Sequence, residues 1–241
     1  MNSAGLTHLG MVRKNNQDSF FRIDYDNGFS IIAVADGLGG HNAGEVASAY
    51  AVDELTEFFE ENKECNFLLM SSEIVEYIKN INQGIYTMSV NSESLSGMGT
   101  TLTMTLTDGK SALTFHVGDS RAYRIGKEIE QITKDHSLVQ YMIDQGQITM
   151  QEALHHPQRN IITRALGTDH DVDVDVIVTK LDKHDKLLVC SDGLTNNVSD
   201  ARIFEITAGL PMKDAVTELI NEANKNGGSD NITVVVYGED A

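Results

Sequence analysis

From residue 101 to residue 117 the chain keeps a strict two-residue period, and no other stretch limits the fold so tightly. Leu102, Met104 and Leu106 alternate with Thr101, Thr103, Thr105 and Thr107; Asp108 and Gly109 supply a turn; Leu113, Phe115 and Val117 alternate on the return. Successive side chains on a strand point to opposite faces, so this pattern predicts a β-hairpin with one apolar face. A second hairpin is expected from residues 120–125 and 128–133 around Gly126 and Lys127. Such local pairing is antiparallel and argues against repeated βαβ units. His116 lies on the opposite side of its strand from Phe115 and reads as a solvated or hydrogen-bonded histidine, not a ligand.

Elsewhere the period is that of a helix. From about Gly40, the residues Ala47, Ala51, Leu55, Phe58 and Phe59 fall on one face, and Ile74, Ile78, Ile81, Ile85 and Met88 form a second stripe. Both stripes read as core packing rather than as a groove for a partner. Ser199 is positioned to cap a helix running to about Ala208, and Pro211 starts another that carries Ala215, Val216, Leu219, Ile220 and Ala223 and stops at Gly227 and Gly228. Further strands are expected at 2–9, 18–24, 28–36 and 187–191, at 171–178 with one wet face, and at the C-terminus up to Tyr237. Helices thus come in pairs between antiparallel strand sets. The expected class is α+β: a four-layer αββα sandwich of two antiparallel sheets flanked by helix pairs. With 241 residues, two prolines and no linker-like tract, residues 1–241 read as one domain. A polar excursion at about 137–168 interrupts the rhythm and reads as a flap.

The strands share a grammar at their ends. Residues 31–34 run into Asp36 and Gly37, residues 113–118 into Asp119, residues 187–191 into Asp192 and Gly193, and Asp230 precedes the last strand. Singly, each aspartate is an ordinary turn residue. Together, with glycine beside three of the four, they suggest carboxylates gathered at one rim, where mutual repulsion and desolvation call for a divalent cation. Oxygen donors suit Mg²⁺ or Mn²⁺ better than zinc. The balance of 36 acidic against 18 basic residues, net −18, excludes nucleic acid and anionic membranes as natural partners. Cys65 and Cys190 form no CxxC pair, and no export signal or long apolar run is present, so a cytoplasmic protein is expected. The DxDxD run from Asp169 fails as a calcium loop, because Val174 stands where glycine is needed and Lys180 where glutamate is needed.

Several phosphate chemistries fail on spacing. There is no Walker loop, Asn42 breaks a dinucleotide fingerprint counted from Gly37, and Ser71 and Asn196 stand where a cysteine-dependent phosphatase needs arginine. The calcineurin-like group needs histidine-bearing motifs that are missing. The residues that remain, Arg13 with Asp18, Asp36 to Gly40, Gly97 with Gly99 and Thr101, Gly118 to Arg121, Ser191 to Gly193, and Asp230 with Asn231 and Thr233, resemble in order the motifs of the metal-dependent protein serine/threonine phosphatases (PPM, type 2C), above all the compact bacterial members.

That resemblance implies hydrolysis of phosphoserine and phosphothreonine on proteins by a metal-activated water, without a phosphoenzyme, at two Mg²⁺ or Mn²⁺ ions. Asp36 would bridge the ions with the Gly37 carbonyl on one of them, Asp192 and Asp230 would hold the other, Asp18 would act through a water of the centre, and Asp119 with Asp192 would build a third, weaker site. Arg13 would grip the substrate phosphate. Relatives with histidine after the Asp-Gly have a general acid that Leu38 replaces here; His41 is the candidate donor, with helix capping as its equal alternative. The flap offers His155, His156 and Arg159 as substrate contacts. A monomer acting on phosphoproteins of a cognate serine/threonine kinase is implied. The alternatives are an anti-sigma-antagonist phosphatase, which would ordinarily carry sensor domains, and a non-catalytic phosphoprotein-binding relative, which should have lost its metal ligands.

Overall fold

The computed structural model describes residues 2–39, 43–63 and 70–239. Two antiparallel sheets face each other. One has the order β1-β11-β10-β7-β8, formed by β1 (Ser3–His8), β11 (Ile232–Tyr237), β10 (Lys186–Cys190), β7 (Arg121–Ile125) and β8 (Ile129–Gln131). The other has the order β2-β3-β5-β6-β9, from β2 (Asp18–Asp24), β3 (Ser30–Leu38), β5 (Leu102–Thr107), β6 (Ser111–Val117) and β9 (Asp175–Lys180), with β4 (Gly99–Thr100) paired to the end of β3. The 102–117 hairpin pairs in the register its alternation demands, Leu102 with Val117, Met104 with Phe115 and Leu106 with Leu113.

Three separate cores make the four layers. Helices α1 (Ala43–Glu61) and α2 (Ser71–Asn91) bury Ala47, Leu55, Phe59, Ile74, Ile78, Ile81 and Ile85 against Leu102, Met104, Phe115 and their neighbours. Each of the larger side chains among these, Leu, Ile, Phe or Met, contributes about 1.5–3 kcal/mol by leaving water. Helices α6 (Asp200–Gly209) and α7 (Met212–Lys225) cover the opposite sheet with Ile203, Ile206, Val216, Leu219 and Ile220 on Leu188, Val234 and Val236. Between the sheets lie Ile32, Val34, Val189 and Val235. The threonines of the hairpin also point into this middle layer. They are buried and hydrogen-bonded: Thr105 Oγ1 pairs with Thr114 Oγ1 at 2.9 Å, Thr103 Oγ1 donates to the Ser120 carbonyl, and Thr107 Oγ1 donates to the Ser111 carbonyl. The alternation of β5 therefore separates two buried layers, one apolar and one hydrogen-bonded.

Some boundaries differ from the sequence expectation. β3 runs on through Leu38, because Gly37 and Leu38 pair with Thr100 and Gly99, so Asp36 lies inside the strand rather than at its end. β9 starts at Asp175, not 171. Val172 packs in the helix-covered core, whereas Val176 and Val178, on an edge strand, are 42% and 73% exposed. Ser199 precedes α6 but makes no side-chain cap; its carbonyl receives the N–H groups of Arg202 and Ile203. Two short helices, α3 (Leu138–Asp144) and α4 (Met150–Ala153), lie in the 137–168 excursion, the second opened by a capping box of Thr149 and Glu152.

Candidate active site

Strand pairing alone brings the first two carboxylates together, since Asp18, the first residue of β2, lies opposite Asp36 on β3. The facing sheet adds the next two. Asp192 opens the short helix α5 (Asp192–Thr195) directly after β10, and Asp230 stands just before β11. Asp119 sits in the turn between β6 and β7. Ser191 and Thr233, from the sheet of Asp192 and Asp230, reach across and donate to Asp18 Oδ2 at 2.8 and 2.6 Å. Thr101 secures Asp36: its Oγ1 accepts the Asp36 N–H at 2.9 Å, and its own N–H donates to the Asp36 carbonyl at 2.8 Å. Asn196 donates to Asp192 Oδ2 at 3.0 Å. Asn231 locks the N-terminal loop, donating to the carbonyls of Leu9 and Asn15 and accepting from the Gln17 N–H.

Glycine at 37 and 193 is required by close backbone approach. A Cβ on Gly37 would collide with the carbonyls of Gly44 and Gln17, and one on Gly193 with the carbonyl of Asn231. The Gly37 carbonyl is thereby held between the end of β3 and the first turn of α1.

The electrostatics are severe. Burial raises the Asp18 carboxyl to about 7; the hydroxyls of Thr233 and Ser191 oppose this and the charges of Asp192 and Asp230 add to it. Asp36 and Asp119 are held well above the ordinary carboxylate range, first by burial and then by neighbouring carboxylates. Asp192 rises to about 6 through burial and Asp230, moderated by hydrogen bonds from Asn196 and Asp36. Arg13 is the counter-charge at the rim, donating to Asp230 Oδ2 at 2.8 Å with half of its side chain exposed.

Whether a cation suits this ring is tested by the oxygens it leaves over. Asp18 Oδ1 and Asp119 Oδ1 are buried without any hydrogen-bond partner among the described residues. An unsatisfied buried carboxylate oxygen is costly, and an ion with oxygen ligands satisfies it. Among the described residues no three acidic, histidine or cysteine side chains form a ready-made cage; the donors converge on the rim with one another and with Arg13, and their chemistry fits a hard divalent ion.

The remaining expected site residues lie elsewhere. His41 is outside the described residues. His155 and Arg159 are exposed on the loop after α4, and neither has a side-chain partner among the described residues; His156 Nδ1 accepts the Gln158 N–H. The structure does not join these three to the carboxylate ring. His116 proves fully buried and satisfied, with Nδ1 2.9 Å from Thr103 Oγ1 and Nε2 3.1 Å from the Lys134 carbonyl.

A model of the protein phosphatase 2C family matches residues 7–235, which takes in Asp18, Asp36, Asp119, Asp192 and Asp230. The chain belongs to the protein phosphatase 2C family. This phosphatase is 38% identical over 243 aligned positions to the serine/threonine phosphatase Stp of Listeria monocytogenes, spanning 97% of the chain and 94% of that relative. Its fold matches the crystal structure of the serine/threonine phosphatase Stp1 from Staphylococcus aureus with a TM-score of 0.93, at 37% identity over 99% of this chain and 95% of the other. It also matches the catalytic domain of the serine/threonine protein phosphatase PstP in complex with two manganese ions, with a TM-score of 0.85, at 35% identity over 98% and 96% of the two chains. The phosphatase is thus a serine/threonine protein phosphatase of the 2C type, on a mixed sandwich of two antiparallel sheets and flanking helices.

Sequence reasoning missed the residues that hold the carboxylates. Ser191, Thr233 and Thr101 stand within the motifs that marked the site, yet which oxygen each addresses is set by the facing of the two sheets. Asn231 stands within the Asp230 motif as well, whereas Asn196 carried no signal beyond adjacency to a motif.

Proposed function

We propose that this phosphatase hydrolyses phosphoserine and phosphothreonine in proteins at a pair of Mg²⁺ or Mn²⁺ ions, held by Asp36, the Gly37 carbonyl, Asp192 and Asp230, with Asp119 and Asp192 contributing to a third, weaker site. One observation carries the reading: five carboxylates from two facing sheets share a rim and leave two buried oxygens without partners among the described residues. The manganese ions of the PstP relative are consistent with it. When bound, the cations supply the charge that lowers the pKa of a water molecule and offsets the phosphoryl oxygens.

The chain's own residues do the rest. Asp18, pinned through Oδ2, keeps Oδ1 to orient the attacking water. Arg13 presents a planar fork to two phosphoryl oxygens; its half-exposed pair with Asp230 contributes little and is readily exchanged for the substrate. His41 protonates the departing serine or threonine oxygen. No side chain receives the phosphoryl group, and Cys190, free and wholly buried with its thiol pushed up by burial, does not serve as nucleophile. His155, His156 and Arg159 on the flap meet the phosphoprotein. As the resemblance to compact bacterial members implies, the phosphatase acts in the cytoplasm as a monomer, paired with a serine/threonine kinase; among the described residues no helix is long and apolar enough to cross a membrane.

The deciding experiment is Mn²⁺-dependent hydrolysis of a phosphothreonine peptide and of p-nitrophenyl phosphate. EDTA and Asp36→Asn should each abolish both activities; retention of either under these conditions sinks the proposal. His41→Ala should slow the peptide far more than the aryl ester, whose leaving group needs little protonation, and equal losses remove His41 from the reaction. Deleting the flap should change peptide turnover and spare the aryl ester; unchanged discrimination refutes its role.

A further inference from the structure

Asp119 is the carboxylate whose position depends most on a single turn, and that turn is gripped from both sides. Gly118 adopts φ +115°, and a Cβ there would strike Thr101, so the peptide lies flush against the residue that secures Asp36. Thr101 Oγ1 also contacts Ser120 Oγ at 2.8 Å. On the other side stands His136. Its N–H donates to the Gly118 carbonyl at 2.7 Å, and its Nδ1 accepts the Gly118 N–H at 3.0 Å, so one residue satisfies both backbone groups of Gly118.

An accepting Nδ1 requires the proton on Nε2, and the structure supplies the partner that fixes it there: Nε2 lies 3.2 Å from Asp175 Oδ2. Arg164, inside the flap stretch, holds the other oxygen of Asp175 at 2.6 Å. The His136 ring also packs against His116, with ring centroids 4.7 Å apart at an interplanar angle of 34°. The neighbouring Asp135 is gripped by the Arg121 guanidinium at 2.7–3.1 Å, which ties the segment to the strand that follows Asp119.

We propose that His136 is a positioning residue for Asp119, with Asp175 setting its tautomer and Arg164 tying that pair to the flap. The proposal rests on the reading of Asp119 as a cation-holding carboxylate. A residue that merely anchored the flap would need neither an acceptor aimed at the Gly118 N–H nor an orienting carboxylate behind it. Partners of this outer kind typically alter metal affinity by roughly 10–100-fold when removed.

Hydrogen exchange of the Gly118 amide in the full-length, chelator-treated protein tests the geometry, and calorimetric Mn²⁺ titration tests its consequence. In His136→Ala, Gly118 exchange should accelerate on the order of tenfold, the net worth of one hydrogen bond, and Mn²⁺ affinity should fall roughly tenfold or more. His136→Asn, which returns an acceptor near the Nδ1 position, should restore most of the protection; Asp175→Ala should lose part of it. Unchanged Gly118 exchange in His136→Ala, or His136→Asn as unprotected as His136→Ala, overturns the proposal. Asp119→Asn is the separate control. If its Mn²⁺ binding equals that of the parent, the cation role of Asp119 falls, and the Gly118 readout still decides on His136 by itself.

Discussion

Acid should destabilise this protein through His116. The ring is fully buried in the middle layer, and burial, aided by His136, drives its pKa from 6.5 to about 4. The Lys134 carbonyl needs a donor, so Nε2 carries the proton of the neutral ring. The Thr103 hydroxyl then has two acceptors for one hydrogen, His116 Nδ1 at 2.9 Å and the Ser120 carbonyl at 3.0 Å. A folded pKa below the unfolded one means that the unfolded chain binds the extra proton first, so stability falls as pH drops below 6.5 and the loss is complete below about 4. Linkage with these two values gives about 2 kcal/mol lost by pH 5 and about 3 kcal/mol by pH 4. Two measurements check it. The ring resonances of His116 should not titrate above pH 5 in NMR spectra. In urea unfolding, His116→Gln should show a pH dependence shallower than the parent by about 2 kcal/mol between pH 6.5 and 5, whatever its absolute stability. A ring midpoint near 6.5 would refute the reasoning, because it would show that Thr103, Ser120 and Lys134 stabilise the cation enough to cancel desolvation.

The carboxylate ring predicts the opposite sign. With Asp18 raised to about 7, stability is lost as pH rises from about 4 to about 7, so the chelated Asp18→Asn protein should melt above the chelated parent at pH 8, with the gap closing as pH falls towards 4; a variant equally or less stable at pH 8 contradicts this. Gly193→Ala forces a Cβ onto the Asn231 carbonyl and should cost about 3 kcal/mol or more in thermal unfolding, and a loss under about 1 kcal/mol would show that the α5 turn yields easily. Cys190 should resist a thiol reagent in a Cys65→Ser background until urea unfolds the chain, since the thiol is wholly buried; labelling under native conditions would contradict its placement.

The patterns that local physics controls were legible in the chain. A two-residue period with a turn at Asp108 and Gly109 admits only a hairpin, and stripes at three- and four-residue spacing in 47–59 and 74–88 admit only helices with one buried face. The repeated Asp beside glycine near the strand termini singled out Asp36, Asp119 and Asp192, and the fold brings these three carboxyls near enough to influence one another. What needed the tertiary structure was the relation between sheets. Nothing local to Asp18 says that Ser191 and Thr233 will take one of its oxygens and leave the other without a partner among the described residues, because those hydroxyls arrive from more than 170 residues away. For the same reason the sequence left open whether His116 is solvated or hydrogen-bonded in the interior, and it did not show that the threonines of β5 are buried. Their neighbours in space belong to the facing sheet, and a hydrogen-bonded layer between two sheets has the same alternation in sequence as a face turned to water.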